Sequence, residues 1–505
     1  MQKIILVFIF IISMLCENSL PFSIEVEELN FASQIPALQS FSLAEHDNNW
    51  LIIGGLSDGT HGDGKQIFAT GQFPQKNFNE RMWVISPQTG EVWSQAIPKN
   101  LAATLNVANP QYYKIDDNTL CIVGGYGINR KNRHDTMGVM TWIDVPKTIT
   151  AIKNNEPVEK HLWQLFDERL CVTGGELKYI DGEFFLVAGQ KFSGKYMEDE
   201  KQHYTLQIRR FEVDVEQKKI TSYQAIGEES LHIRESKTVT TLANPKRYTH
   251  DLNKVLRSQI LRTIKAHGKS LDSYIAEGGD GESHLRRRDL NVTEAVFPDG
   301  THGFVLYGGG FKFLFPLFTM HQNPIFFSPQ KQFSGCNAMI DMGFEQTMSL
   351  YTCAHMLIFD PVKRKMRTVL FGGISAFAYD EVARETVRDR MLPYVNNISI
   401  ETISGSKSPS SWQCKETVIE KNNRAQTFGQ KGFFGTNSKF VLSKEGKQAL
   451  YGSCHEVLDL EILQKKAQDS ITIGYIYGGI HALKQNFGKT TASNKIFAVR
   501  LRNVR

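Results

Sequence analysis

The sequence predicts an all-β fold built from repeated units. Its 505 residues include 40 glycines and 11% aromatic residues, which favours many turns between β-strands over a helix bundle. Hydrophobic residues at 41% and charged residues at 22% match globular averages and exclude a disordered chain or a coiled coil. The net charge of +5 is too weak to predict binding to nucleic acid.

The N-terminus has the pattern of a secretory signal. After Lys3, residues 4–15 are apolar apart from Ser13. This run is shorter than the roughly 20 residues that span a bilayer, but it fits the apolar core of a signal peptide. We expect residues 1–23 to be removed and the protein to be exported, to the periplasm or outside the cell. No later apolar run is long enough to cross a membrane, so we predict no transmembrane segment in the mature chain.

Six cysteines remain after the predicted signal: Cys121, Cys171, Cys336, Cys353, Cys414 and Cys454. In an exported chain this even number permits three disulfides, with a pairing that the sequence does not specify. The alternative is buried thiols on strands, which the apolar neighbours of Cys121 and Cys171 indicate. Because no cysteine pair has metal-ligand spacing, the sequence predicts no metal site.

A short apolar run that ends in two small residues occurs six times. The pairs are Gly54-Gly55, Gly124-Gly125, Ala188-Gly189, Gly308-Gly309, Gly372-Gly373 and Gly478-Gly479. The intervals between them are 70, 64, 120, 64 and 106 residues, which indicates a repeat of about 65 residues with two longer units that carry insertions. Each run predicts a buried strand that ends where glycine permits positive φ or close approach to a neighbour.

A second strand-like signal follows several of these runs. In the first unit, residues 82–87 lead into the turn Gln88-Thr89-Gly90 and a return strand that contains Trp93. Each repeat unit is therefore predicted to contain about four antiparallel strands. Radial stacking of such four-stranded sheets makes a β-propeller.

The first unit, from His46 to Trp93, resembles a kelch repeat through Trp50, the Gly54-Gly55 pair, Trp83 and Trp93. The likeness extends over residues 38–501 and implies a kelch-type β-propeller of six blades. Seven blades result if residues 397–441 form a degenerate unit. The resemblance also implies that the final strand, residues 494–501, completes the sheet of the first repeat and removes an exposed edge.

The longest interval contains a predicted inserted segment, residues 245–283. Asp251 can cap a helix whose apolar face includes Leu252, Leu256 and Ile260, and Gly268 can end it. We expect this helix to pack on the propeller rim. A partner-binding or membrane-surface role is the alternative, because its other face is basic.

The candidate ligand-binding residues are few. Arg286, Arg287, Arg288 and Asp289 precede the fourth glycine-ended strand, where a loop at the propeller mouth could hold an anion. A solvated or internally paired charge cluster is the alternative. His61 and His302 lie in two copies of Asp-Gly-Thr-His-Gly, and His134 follows Gly125-Tyr126-Gly127; these segments are also simple turns.

No legible catalytic motif is present, so the sequence predicts a binding module for a protein or glycan, without a cofactor. The catalytic residues of an enzyme on this scaffold are not assigned by the sequence. The kelch resemblance implies the alternative of a carbohydrate-active enzyme, either an isomerase similar to sialic acid mutarotases or a copper oxidase similar to galactose oxidase.

Overall fold

The computed structural model describes residues 20–60, 73–195, 201–235, 283–314, 317–389, 391–422, 424–429, 431–467, 469–486 and 488–505. Strands predominate in these ranges, which confirms the predicted all-β fold. Most of the predicted signal peptide, His61 and the predicted helix after Asp251 lie outside the described residues. Across the described ranges, no helix has the length and apolar character needed to cross a bilayer.

Six sheets of four or five strands form the body of the described chain. We number them 1 to 6 in the chain order of one strand of each sheet, which we call its first strand: Ser42–His46, Gln111–Lys114, Glu176–Ile180, Asn291–Val296, Ala354–Asp360 and Lys439–Leu442. Sheet 1 contains Ser42–His46, Asn49–Ile53, Arg81–Ile85 and Val92–Ala96; sheet 2 contains Gln111–Lys114, Thr119–Val123, Val139–Asp144 and Leu162–Phe166; sheet 3 contains Glu176–Ile180, Glu183–Val187, Ile208–Asp214 and Lys219–Ile226. Sheet 4 contains Leu231–Arg234, Asn291–Val296, His302–Tyr307, Ile325–Phe327 and Ala338–Asp341; sheet 5 contains Ala354–Asp360, Lys365–Ile374, Tyr394–Ser404, Gln413–Val418 and Val457–Asp459; sheet 6 contains Ser23–Leu29, Lys439–Leu442, Ser470–Tyr477 and Ile496–Arg502. For sheet 4 and sheet 6, "first strand" below means Asn291–Val296 and Lys439–Leu442.

Smaller elements connect these sheets. The short strands are Val107–Ala108, Tyr126–Ile128, His134–Thr136, Gln190–Ser193, Lys201–Tyr204, Gly310–Leu314, Leu317–Met320, Phe377–Asp380, Glu385–Arg388, Glu420–Lys421, Arg424–Ala425, Ile480–Ala482 and Thr490–Ala492. The α-helices are Lys99–Leu105, Val145–Asn154, Lys444–Lys447 and Leu460–Lys466, and the 3-10 helices are Gln75–Asn77, Glu159–His161, Glu168–Leu170, Glu228–Ser230 and Pro409–Ser411.

The six glycine-ended runs lie in equivalent places, because each ends or crosses the second strand of one sheet. The first residue of every pair, including Ala188, has φ between 51° and 72°. Glycine also permits close approach at these points: a Cβ on Gly124 would lie 2.1 Å from the Val172 carbonyl oxygen, and one on Gly308 would lie 2.2 Å from that of Leu350. Both physical reasons predicted for these glycines are therefore confirmed.

Apolar side chains join each sheet to the next in chain order. Leu51 of sheet 1 and Ile122 of sheet 2 belong to one buried cluster, and corresponding clusters join sheets 2 to 3, 3 to 4, 4 to 5 and 5 to 6. A sixth cluster joins sheet 6 back to sheet 1, where the rings of Trp50 and Tyr477 lie 5.8 Å apart between centroids. The core is thus distributed between the sheets.

The hairpin predicted around Gln88-Thr89-Gly90 is confirmed by the pairing of Arg81–Ile85 with Val92–Ala96. Residues 397–441 supply strands to sheets 5 and 6 and form no further four-stranded sheet among the residues described. The final strand differs from the prediction: Ile496–Arg502 lies in sheet 6, not in the sheet of the first repeat. The last repeat supplies three strands of its own, and the N-terminal strand Ser23–Leu29 fills the remaining edge position.

All six cysteines after residue 20 are free thiols. Cys121 is buried on the second strand of sheet 2, as its apolar neighbours predict. Cys171 is half-buried and follows the 3-10 helix Glu168–Leu170, so the prediction of a buried strand position was wrong there. Its neighbours Leu170 and Val172 are buried as parts of a turn, which produces the same apolar run.

A segment inserted in sheet 6, residues 443–467, contacts the first strands of five sheets; we call it the cross-ring segment. Lys447 pairs with Glu45 of sheet 1, and Glu456 pairs with Lys178 of sheet 3 at 2.7 Å. The His455 ring packs edge-on against Tyr113 of sheet 2, and the backbone N–H groups of His455 and Glu456 donate to Glu294 of sheet 4. Val457–Asp459 pairs in parallel with the first strand of sheet 5.

Candidate functional site

Six residues, each two positions before the first strand of its sheet, form a hydrogen-bonded ring that we call the central ring. They are Ser40, Asn109, Gly174, Asp289, Thr352 and Asn437. The backbone N–H of each of the last five donates to the carbonyl oxygen of the residue before it in this series, at 2.6 to 3.3 Å. The side-chain amide of Asn437 closes the series by donating to the Ser40 hydroxyl at 3.1 Å.

The local conformation explains the residue types in the central ring. All but Thr352 have positive φ, from 48° at Asn109 to 65° at Gly174. Glycine adopts this region without steric cost, and asparagine and aspartate tolerate it better than other residues do. The sequence therefore places backbone amides and short polar side chains at one point shared by all six sheets.

A cleft lies on the central ring, at the end of the first strands opposite to the contacts of the cross-ring segment. It has about 580 Å³ of empty space, part of which is open to solvent. Its amide and hydroxyl side chains are Gln39, Ser40, Thr60, Asn109, Thr173, Gln190 and Asn437. Its aromatic side chains are Phe73, Tyr126, Phe192 and Tyr351.

The charged groups at the cleft are paired. Arg288 lines the cleft and forms an ion pair with Asp289, which also accepts a hydrogen bond from the Asn109 side-chain amide at 3.4 Å. The Arg288 guanidinium lies 4.7 Å from the centroid of the Phe311 ring. Burial, reinforced by the charge of Asp289, raises the pKa of Tyr351 well above 10, so this phenol is neutral at physiological pH. The arrangement offers hydrogen-bond donors and acceptors with little net charge.

The other two arginines of the predicted cluster lie away from the cleft lining. Arg287 is fully buried and donates to the carbonyl oxygens of His284, Gly308 and Asn323 at 2.7 to 2.9 Å. Burial lowers the pKa of Arg287 to about 9. Arg286 donates to the Phe311 carbonyl oxygen and stacks its guanidinium 4.0 Å from the centroid of the Tyr204 ring.

The predicted histidines lie in different places. His134 is next to the cleft: its ring is 5.8 Å from that of the lining residue Tyr126, and its Nε2 is 3.2 Å from the Phe73 carbonyl oxygen. His302 lies at the opposite end of the first strands, where its Nε2 is 2.6 Å from Glu294. The structure therefore brings Arg288, Asp289 and His134 to one region and leaves His302 in another.

Sequence reasoning missed most of the cleft. The amide and hydroxyl residues come from short segments before the first strands, whereas the repeat signal lies at the ends of the second strands. A search for Asn, Asp, Ser or Gly two residues before each first strand would have found five of the six central-ring positions, because those types accept positive φ.

Comparisons with known proteins give similarities to solved structures and no match by sequence. No protein-family model matches the chain, and no curated protein matches it. A solved structure titled "Structure of YjhT" is similar with a TM-score of 0.40 and 10% sequence identity, over 92% of this chain and 95% of that chain. The roles of the cleft residues are therefore assigned from the geometry of this chain alone.

Proposed function

We propose that the protein is an exported, six-bladed kelch-type β-propeller that binds a glycan in the cleft on the central ring. Three features support the propeller: six repeated sheets, apolar packing of each on the next and of the last on the first, and the ring of backbone hydrogen bonds. Export rests on the predicted signal peptide.

The side chains that line the cleft are the reason for proposing a glycan as the ligand. Sugar hydroxyls both donate and accept hydrogen bonds, and side-chain amides and hydroxyls do the same. The apolar faces of sugar rings pack on aromatic side chains, which the cleft supplies as Phe73 and Tyr126. A concave cleft lined by a few side chains suits the end of a sugar chain better than a protein partner, which usually covers about 800 Å² of surface.

The paired charges favour an uncharged part of the ligand inside the cleft. Arg288 is already bound to Asp289, so a ligand anion would have to compete with a buried carboxylate. A neutral hydroxyl group can instead bind beside this pair and leave it intact.

Binding can be tested with a glycan array and the purified mature chain. We expect a hit, and we expect Phe73→Ala to weaken it at least tenfold, about 1.4 kcal/mol, because the variant removes an aromatic surface from the cleft. Phe166→Ala is the matched control, since this phenylalanine is 58% exposed on the fourth strand of sheet 2. A folded protein that binds no glycan, or equal affinity in both variants, contradicts the proposal.

A carbohydrate-active enzyme on the same cleft is the second candidate. The observation that favours it is the closeness of Tyr351 to Asp289, because a phenol beside a carboxylate can exchange a proton with a sugar hydroxyl. Anomer exchange of a bound sugar, followed by NMR, tests it. A rate increase that Tyr351→Phe abolishes without loss of binding supports the enzyme, and a rate equal to that in buffer excludes this isomerase activity for the sugar tested.

A further inference from the structure

A second group of chemically competent side chains lies away from the cleft, where the cross-ring segment meets sheet 4. It consists of Glu294 on the first strand, His302 at the start of the second strand, and Cys454 in the cross-ring segment. One donor atom from each lies within 4.8 Å of the other two. Glu294 and Cys454 are buried and His302 is half-buried.

The donor set fits zinc. A thiolate, an imidazole and a carboxylate are its common protein ligands, and three protein ligands leave a fourth tetrahedral position for water. Metal–ligand bonds of about 2.0 to 2.3 Å place tetrahedral donors roughly 3.3 to 3.8 Å apart. No two donor atoms of the group are more than 4.8 Å apart, so metal binding would shorten the wider separations by at most roughly 1.5 Å and would lengthen the 2.6 Å contact of His302 with Glu294.

The surroundings hold the group in place. The Glu294 carboxylate accepts the backbone N–H groups of His455 at 3.1 Å and Glu456 at 2.6 Å, so it is fastened to the loop that bears Cys454. Hydrogen bonds of this kind orient metal ligands in known sites. A ligand carboxylate can keep these bonds, since its oxygens have further lone pairs.

The hydroxyl of Tyr113, which has no partner among the described residues, lies near this group of three side chains. Tyr113 is 4% exposed, and its hydroxyl has no hydrogen-bond partner among the described residues. Its ring packs edge-on against that of His455, the residue after Cys454, with 5.8 Å between the ring centroids, which places this phenol close to the group. A buried hydroxyl without a partner is costly, and a metal-bound water could donate a hydrogen bond to its oxygen.

We propose that Glu294, His302 and Cys454 bind one zinc ion that fastens the cross-ring segment to sheet 4. The ligands come from segments up to 160 residues apart in the sequence, as the numbers 294 and 454 show, so no linear metal motif is visible. The site is separate from the glycan cleft and does not depend on it.

The test measures zinc on the full mature chain after chelation, addition of Zn²⁺ and dialysis. We expect about one zinc per chain by elemental analysis, together with a rise in the thermal midpoint. Cys454→Ser and His302→Asn should both lose the bound zinc and the rise. Cys336→Ser, which removes another free thiol of the same apolar cluster, should retain both.

Replacement of zinc by cobalt separates ligand loss from misfolding. Cobalt bound to a thiolate has a charge-transfer absorption in the near ultraviolet, so the native chain should show it and a folded Cys454→Ser variant, checked by circular dichroism, should not. Retention of zinc by Cys454→Ser, or no zinc on the native chain, would overturn the proposal. In that outcome the three side chains hold the segment by hydrogen bonds alone.

Discussion

Gly308 shows how one backbone position fixes the spacing between neighbouring sheets. Its φ is 60°, and a Cβ there would lie within 2.2 Å to 2.7 Å of three backbone atoms of Leu350. The backbone N–H of the next residue, Gly309, donates to the same carbonyl at 2.7 Å. The close approach and the hydrogen bond are therefore two parts of one contact between sheets 4 and 5.

We expect Gly308→Ala to lower the free energy of unfolding by about 2 to 4 kcal/mol. Roughly 1 kcal/mol comes from the positive φ, and the rest comes from the clash with Leu350. Gly452→Ala is the matched control, because Gly452 has a φ of 53° and a Cβ there would meet no atom of the described residues within 4 Å. Denaturant unfolding of both variants measures the difference, and equal losses would show that the approach to Leu350 is unimportant.

For single residues, the sequence predicted the role of the glycines but not the partners of the polar side chains. The pair of small residues reflects a steric requirement that acts on those residues themselves, so it is visible in all six repeats, as Gly-Gly in five and Ala188-Gly189 in one. The partners of Arg288 or Glu294 come from distant segments, and neither spacing nor composition specifies them. Arg287 illustrates the limit, since a buried structural arginine and its cleft-lining neighbour have the same appearance in the sequence.

Among the elements, the third and fourth strands of sheet 5 carry an unusual pair. Glu401 and Glu416 are directly opposite in the antiparallel register. Glu416 accepts backbone N–H groups from Thr347 at 3.0 Å and Met348 at 2.7 Å, so it is the better stabilised carboxylate. Burial, and then the charge of Glu416, raises the pKa of Glu401 well above 4.5. Glu401 is therefore protonated in the folded chain at moderately acidic pH.

This pair predicts a pH dependence of stability. Because the folded pKa of Glu401 is above its unfolded value, its favourable contribution is complete below about pH 4.5 and decreases as the pH rises through the folded pKa. The slope can reach about 1.4 kcal/mol per pH unit. Because burial also raises the pKa of Glu416, we expect Glu401→Gln to reduce this slope without abolishing it, and so to gain stability relative to the native chain as the pH rises from 4.5 to 7.

Unfolding free energies at several pH values measure this effect. Glu212→Gln is the control, because Glu212 is an exposed carboxylate on the third strand of sheet 3. Parallel pH profiles for the native chain and Glu401→Gln would contradict the assignment of the proton to Glu401.

The N-terminal strand was the element that the repeat pattern could not reveal, since it belongs to no repeat. Ser23–Leu29 does carry a signal of its own, with apolar Ile24 and Val26 alternating with Glu25 and Glu27. Its acidic residues match a basic final strand: Glu25 pairs with Arg502 at 2.7 Å. A search for opposite charge on alternating segments at the two ends would have predicted this pairing.

For the whole molecule, the pairing of the two terminal strands removes a free sheet edge. All seven residues of Ser23–Leu29 pair with Ile496–Arg502, and Phe22 and Ile24 are buried in the cluster between sheets 5 and 6. Without the N-terminal strand, Ile496–Arg502 would present unpaired backbone groups, which favour aggregation. The same burial predicts that any cleavage of the expected signal peptide falls before Phe22, and so before the boundary at residue 23 predicted from the sequence.

Deletion of residues 20–29 tests this arrangement. We expect the free energy of unfolding to fall by about 3 to 6 kcal/mol, because Phe22 and Ile24 are no longer buried. The thermal midpoint should fall, and aggregates should appear in size-exclusion chromatography. Glu27→Ala is the control, because it removes only an exposed ion pair with Arg500, worth about 0 to 1 kcal/mol. A monomeric deletion variant with an unchanged midpoint would show that the terminal strand is dispensable.

The central ring closes one end of the cleft. Its backbone hydrogen bonds form a floor, and the cross-ring segment lies beyond that floor. For the proposed glycan ligand, we therefore expect the tip of a chain or branch to be inserted on the central ring, while the remainder stays outside. On this proposal the protein would bind chain ends in preference to internal sugars, and we expect a shortened oligosaccharide with the same terminal unit to compete with the full polymer.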